Sequence, residues 1–245
     1  LDDSVIESAT GERHLGVILN GGTHVIDEME IRDGNQCIRD SIPGAPLTIT
    51  NSVLTNCGVA IDVTFRAVGL LNVTITGSGI ALRTKQSPQV GVSNSLLSGT
   101  QIGWHLIQHG SGPSGLSNTT VSGGVGVLVD GATGGTAGAG SVRLLHSVVT
   151  ASGVGLKSLG QRVRLQAGTR VENNTVGVQM VGAGAVLDLG LQSASSFSGN
   201  GISIQLDQAG VPVLDGGNLF FPRGPLPPGL PLAGPIADSD RKRPR

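Results

Sequence analysis

The stretch Val68-Gly-Leu-Leu-Asn-Val-Thr-Ile75 decides the fold, because the chain says it again four times. Its counterparts are Leu47-Thr-Ile-Thr-Asn-Ser-Val-Leu54, Val90-Gly-Val-Ser-Asn-Ser-Leu-Leu97, Ser114-Gly-Leu-Ser-Asn-Thr-Thr-Val121 and Val142-Arg-Leu-Leu-His-Ser-Val-Val149. The shared slot holds Asn51, Asn72, Asn94, Asn118 and His146, at spacings of 21, 22, 24 and 28 residues. A drifting period of this length is the mark of a repeat architecture. Later coils put Gly in the slot, in Ala167-Gly168 and at Gly190. A position that takes Asn, His or Gly is one where the backbone turns left-handed, which these residues tolerate best. The column therefore reads as a scaffold device, with amides stacked from coil to coil and bonding inward at a tight bend.

Each repeat carries three short apolar pieces. One alternates before the Asn, one follows it, and one comes after a Gly, as in Gly79-Ile-Ala-Leu82. Alternation of period two in pieces this short calls for strands, since no stretch holds a helical stripe. Three strands and three bends in about 22 residues predict an all-β, three-sided parallel β-helix of about eight to nine coils. Its expected inward columns are Ile49, Leu70, Val92, Leu116, Leu144 and Leu165 on one side, and Leu54, Ile75, Leu97, Val121 and Val149 on the second. On the third they are Ile61, Leu82, Leu106, Val129 and Leu156. Residues 1–13 are expected to cap the array, 14–217 to form it, and the Pro-rich 218–245 to leave it. Within that tail Leu219, Phe220 and Phe221 are expected to pack over the last coil.

Composition agrees: 40 Gly, no Tyr, one Trp and 13% charged residues among 245 suit short strands joined by tight bends. A net charge of −1 gives no overall drive toward nucleic acid or an anionic membrane. No apolar run approaches the roughly 18–20 residues that span a bilayer, so the chain is expected to be soluble. It begins at Leu1 without a signal-like stretch, which leaves open a removed targeting segment or a start within a longer protein. Cys37 and Cys57, one repeat apart, are too few for a disulfide framework or a zinc site. Burial of two thiols is the expectation, with a disulfide as the alternative.

The repeat phrase, with Asn at its second bend, resembles right-handed parallel β-helix proteins of the pectin-lyase-like superfamily, over residues 14 to 217. That resemblance implies the Gly-initiated strand as the first of each coil, whose outward face binds polysaccharide and carries carboxylates in the family's enzymes. Arg83-Thr84-Lys85 is similar to the Arg-x-Lys of polygalacturonases, and His109-Gly110 to part of their Gly-His-Gly. Gln108 stands where the first Gly belongs, and the family's Asn-x-Asp and Asp-Asp elements are missing from the matching coils.

On that face the outward positions read Ala60/Asp62, Ala81/Arg83, His105/Ile107, Leu128/Asp130, Gly155/Lys157, Gly177/Gln179 and Ser203/Gln205. Glycoside hydrolysis needs two carboxyls about 5 to 9.5 Å apart. Asp62 and Asp130 stand three coils apart, about 14 Å at strand spacing. Cross-strand ion pairs, Asp62 with Arg83 and Asp130 with Lys157, are the simpler account. Asp62, Arg83, Lys85 and His109 are thus weak catalytic candidates, and His105, Asp130 and Lys157 candidate binding residues; no metal or cofactor is implied. Trp104 is expected in the core beside Leu106, so it offers no aromatic platform.

A second outward column, Thr55, Thr76, Ser98, Ser122 and Thr150, makes a flat hydroxyl face of the kind ice-binding solenoids use, or a docking surface. The loops 83–89, 108–113 and 131–140 vary in length, and variable loops on a rigid scaffold are where recognition resides. The Asn-x-Thr triplets at Asn72, Asn118 and Asn173 are formal glycosylation sequons, discounted because two lie in the column expected to bond inward. Together these readings favour a non-catalytic, extracytoplasmic structural or adhesive module of a cell envelope, surface layer or virion appendage that binds partner proteins or polysaccharide, with a homo-oligomer or larger assembly open to it. A polysaccharide lyase or hydrolase with a degenerate site is the competing expectation.

Overall fold

The computed structural model of the chain describes residues 5–6, 14–20, 22–108, 112–131, 141–150, 153–182, 184–190, 195–207, 213–214 and 219–220. They form a parallel β-solenoid of about seven turns, slightly fewer than the repeat count suggested, with no helix among them. Most of the expected cap 1–13 and tail 218–245 lie outside the described residues. Leu219–Phe220 pairs with Ser196–Phe197 as a further rung.

One side is a nine-stranded sheet built from the strand that precedes each Asn, such as Leu47–Thr50, Val68–Leu71, Val90–Ser93 and Ser114–Ser117. The other two sides merge into a 17-stranded sheet, because Thr74–Lys85 and Leu96–Ile107 run unbroken around the corner between them. On this sheet the strands that follow the Asn, such as Val53–Thr55, form a short side. The strands after the Gly, such as Val59–Thr64 and Val125–Asp130, form a long side.

Two of the three core columns stand as the pattern predicts. Ile49, Leu70, Val92, Leu116, Leu144 and Leu165 pair in sequence, as do Leu54, Ile75 and Leu97, and Val121 with Val149; all are buried. Burying each such side chain contributes about 1.5–3 kcal/mol. The third column needs correcting. Ile61 and Leu82 pair on to Trp104, Val127 and Leu156, whereas Leu106 and Val129 belong one inward place further along, with Val63 and Thr84. The cause is a corner at which two successive residues face in, Ala60-Ile61, Ala81-Leu82 and Gly103-Trp104. Trp104 is fully buried and its indole N–H donates to Thr84 Oγ1.

The Asn column has the backbone expected of it: φ is 49° at Asn51, 56° at Asn72, 49° at Asn94, 48° at Asn118 and 47° at His146, and 67° at Gly168 where Gly takes over. Its side chains do not bond inward, however; all five are exposed. Only part of the stack is joined, with Asn72 Nδ2 donating to Asn51 Oδ1 at 3.1 Å and Asn51 Nδ2 to Asp27. The ground for discounting the sequons at Asn72 and Asn118 therefore falls. The inward bonding belongs to the next residue, where Ser52, Ser95, Thr119 and Ser147 are buried. Ser95 Oγ accepts from Val73 N in the coil before and donates to Ser93 O. Ser52 and Ser147 repeat the arrangement, accepting from Met29 N and Thr119 N. These hydroxyls satisfy backbone groups that the bend would otherwise bury unpaired. The amide ladder of the interior is elsewhere, at Asn174 and Asn200, which bond to each other and to the Val149 and Val171 carbonyls.

Cys37 and Cys57 form a disulfide, Cα–Cα 5.9 Å, so burial of two free thiols is overturned. Neighbouring coils bring the strand Gly34–Asp40 against the bend before Val59–Thr64. Arg66, at the corner between the long side and the nine-stranded sheet, is fully buried with Asp40. Its guanidinium also donates to the Ala45 and Gly22 carbonyls, which fastens the 41–46 loop to the body.

Candidate functional site

The long side's outward column runs Ile18, Arg39, Asp62, Arg83, His105, Leu128, Lys157, Gln179, Gln205. A second runs two residues further along each strand, through Thr64, Lys85, Ile107, Asp130, Leu159 and Val181. Ala60, Ala81, Gly155 and Gly177, expected on this face, are buried at the corner instead.

Asp62 meets Arg83 in the expected ion pair, with Arg83 Nε and Nη2 gripping both carboxylate oxygens. Gln36 Nε2 adds a third bond to Asp62 Oδ2 at 3.0 Å. The hydrogen bond to Asp62 holds the Arg83 guanidinium even more firmly protonated than usual. Both residues face the solvent only in part, so the pair is worth on the order of 1 kcal/mol. Lys85 is exposed beside Thr64 and Ile107, on the same face as Arg83, with buried Thr84 between them.

The second expected pair is not in register. Lys157 stands beside Leu128 and Gln179, while Asp130 stands beside Ile107 and Leu159. Asp130 acts on His105 instead. Burial pushes the His105 imidazole below its ordinary value, Asp130 opposes this and Arg83 reinforces it. His105 is half-buried and its Nε2 has no hydrogen-bond partner among the described residues. Farther along, Gln179 and Gln205 both donate to Asp207, at 2.7 Å each. Asp62 and Asp130 remain three rungs apart, about 14 Å, beyond the span over which two carboxyls share one glycosidic bond. His109 lies outside the described residues.

No family model, curated protein or solved structure matches the chain.

The hydroxyl column lies on the short side, with Thr55 beside Thr76, and Ser98 beside Ser122 joined by a 3.1 Å hydroxyl bond. Its neighbouring column mixes Val53, Thr74, Leu96, Thr120 and Val148. Arg32 with Glu30 and Arg170 with Glu172 bound this uncharged field at its two ends.

The nine-stranded sheet presents a different face, which the sequence reading passed over. Its outward column runs Val25, Thr48, Gly69, Gly91, Gly115, Arg143, Arg164, Asp188. Arg162 lies on the same strand and face as Arg164. Asp188 Oδ2 accepts from Arg162 Nη2 and Arg164 Nε, both at 2.7 Å, and Oδ1 from Gly190 N. Burial alone would raise the Asp188 carboxyl; those three bonds outweigh it and hold the group below the usual carboxylate range. Among the described residues no three His, Cys, Asp or Glu gather as a metal site, and no helix is long and apolar enough to cross a membrane.

Proposed function

We propose that the protein is a non-catalytic, extracytoplasmic β-helix, a structural or adhesive module that presents its flat faces to polysaccharide or to partner proteins. One observation carries this reading. On the face where a β-helix enzyme of the pectin-lyase-like kind would work, the Asp62 carboxylate is held by Arg83 and Gln36, with the next outward carboxylate on that face, Asp130, three rungs away. Kinship with that superfamily rests on the three-sided coil and the Asn at the second bend, and is part of the proposal. The disulfide supports an extracytoplasmic location, since such bonds persist in oxidising compartments. Assembly with further copies or partners is part of the proposal, since the end strands of a parallel solenoid offer edges for pairing.

The competing reading draws on His105, an imidazole beside Arg83 whose charged form burial disfavours, which has the form of a general base. Incubation with polygalacturonate and with neutral polysaccharides decides between the two. The expected result is no shortening of any chain; depolymerisation lost in Arg83→Ala or His105→Gln would reverse the assignment.

A further inference from the structure

The structure assigns an anion-binding site to the nine-stranded sheet, on Arg143, Arg162 and Arg164, and the ligand we infer is an acidic polysaccharide lying across the coils. This rests on the reading of the solenoid as a polysaccharide-binding scaffold, and names the face and the ligand class.

Three guanidiniums stand on two adjacent rungs. Arg143 is directly beside Arg164 in the parallel register, about 4.8 Å away at the backbone. Like charges placed directly opposite destabilise a sheet, so their juxtaposition is a cost the fold does not need. Asp188 relieves only part of it. Its oxygens already accept from Arg162, Arg164 and Gly190 N, which leaves little lone-pair capacity. Arg143 is exposed, one rung farther off, and its Nε donates only weakly, to Ser141 Oγ at 3.3 Å. Planar forks with spare donors match carboxylate and sulfate oxygens two at a time.

The column leading to this cluster gives the ligand its shape. Thr48, Gly69, Gly91 and Gly115 carry no charge and little bulk, over three rung steps of about 4.8 Å each. Packing does not explain two of these glycines, since a Cβ built on Gly69 or Gly91 would meet nothing within 4 Å. Gly inside a strand weakens it, and often marks the close approach of a ligand. Gly115 differs, because an added Cβ would stand 2.4 Å from the Arg143 carbonyl oxygen. A narrow uncharged floor with cations clustered at one end fits an extended chain whose acid groups reach the arginines. Nucleic acid fits less well, since it would draw cations to phosphates along its whole path.

The test measures binding of polygalacturonate, dextran sulfate, neutral dextran and a duplex DNA oligonucleotide to the intact chain. The wild type should bind one or both acidic polysaccharides, more weakly as salt rises, and should not bind dextran. The tighter of the two identifies carboxylate or sulfate as the recognised group. Arg143→Gln should lower that affinity at least tenfold without lowering the thermal midpoint, since it breaks no ion pair and relieves the like-charge contact with Arg164. Gly91→Glu, whose side chain enters open space, should lower it severalfold and guards against a folding artefact in the arginine variant. Equal binding by wild type and both variants, no binding of either acidic polymer, or DNA bound as tightly as the better polysaccharide would overturn the site. Binding without cleavage that ignores Arg143 removes the site and leaves the scaffold reading standing. Arg143-dependent binding accompanied by Arg83-dependent cleavage keeps the site and removes the non-catalytic reading.

Discussion

The outward columns of the long side and of the nine-stranded sheet are built on the same coils, yet they dispose of charge in opposite ways. On the long side cations and carboxylates interleave along the axis: Arg39, Asp62, Arg83 with Lys85, Asp130, Lys157, Asp207. Asp62 is held by Arg83 and Gln36, and Asp207 by two glutamine amides. On the nine-stranded sheet the middle of the column is bare glycine, and at its end two guanidiniums grip one carboxylate while a third, Arg143, stands one rung away. On the long side the carboxylates Asp62 and Asp207 are held by residues of their own face, whereas the nine-stranded sheet sets Arg143, in no ion pair among the described residues, directly beside Arg164.

The largest expected effect comes from the corner that joins the two faces. Arg66→Ala leaves Asp40 buried without its cation and should cost about 3–5 kcal/mol in denaturant unfolding. An Arg66→Ala protein as stable as the wild type would show that the corner is held by other means. Reducing the Cys37–Cys57 bond, which closes a loop across one coil, should cost about 3 kcal/mol by chain entropy. Reduction without change in the unfolding midpoint would contradict this. Arg83→Gln should cost only about 1 kcal/mol or less, because the Asp62 pair is partly solvated. A loss of several kcal/mol would mean the long side is far drier than its exposure indicates.

The smallest effects are those of pH, and the two faces should show them separately. His105 has its folded value below the unfolded one, so the unfolded chain binds the proton more readily. The His105 contribution is complete above pH 6.5 and is lost as pH falls through the lower folded value; His105→Gln should flatten that slope. Asp188 is likewise depressed, and its contribution is complete above the ordinary carboxylate range and lost as pH falls below it. Asp188→Asn should remove that second, more acidic loss and leave the first untouched.

The period and the left-handed slot were legible because Asn, His and Gly sit more easily at positive φ than most residues, and because core columns repeat with the coil. What escaped notice has physical reasons. Ser52, Ser95, Thr119 and Ser147 look like ordinary strand residues, and only the closed bend turns them inward. The register of the third column slipped where the chain buries two residues in a row. The small residues Ala60, Ala81, Gly103, Gly126, Gly155 and Gly177, each just before a large apolar one, were the available signal. Arg143 and Arg164 lie 21 residues apart in sequence, and only the pairing of their strands makes them neighbours. The Asp62–Arg83 pair was readable because both residues occupy the same place in adjacent repeats.

The contrast between the two faces is tested most directly by arginine-selective modification, followed by mass spectrometry, with and without polygalacturonate. Arg143 and Arg39 are both exposed, one on each face, so each reports on its own side. Polygalacturonate should slow modification of Arg143 and leave Arg39 reacting as before. Protection of Arg39 with Arg143 unchanged would place the ligand on the long side and contradict the account.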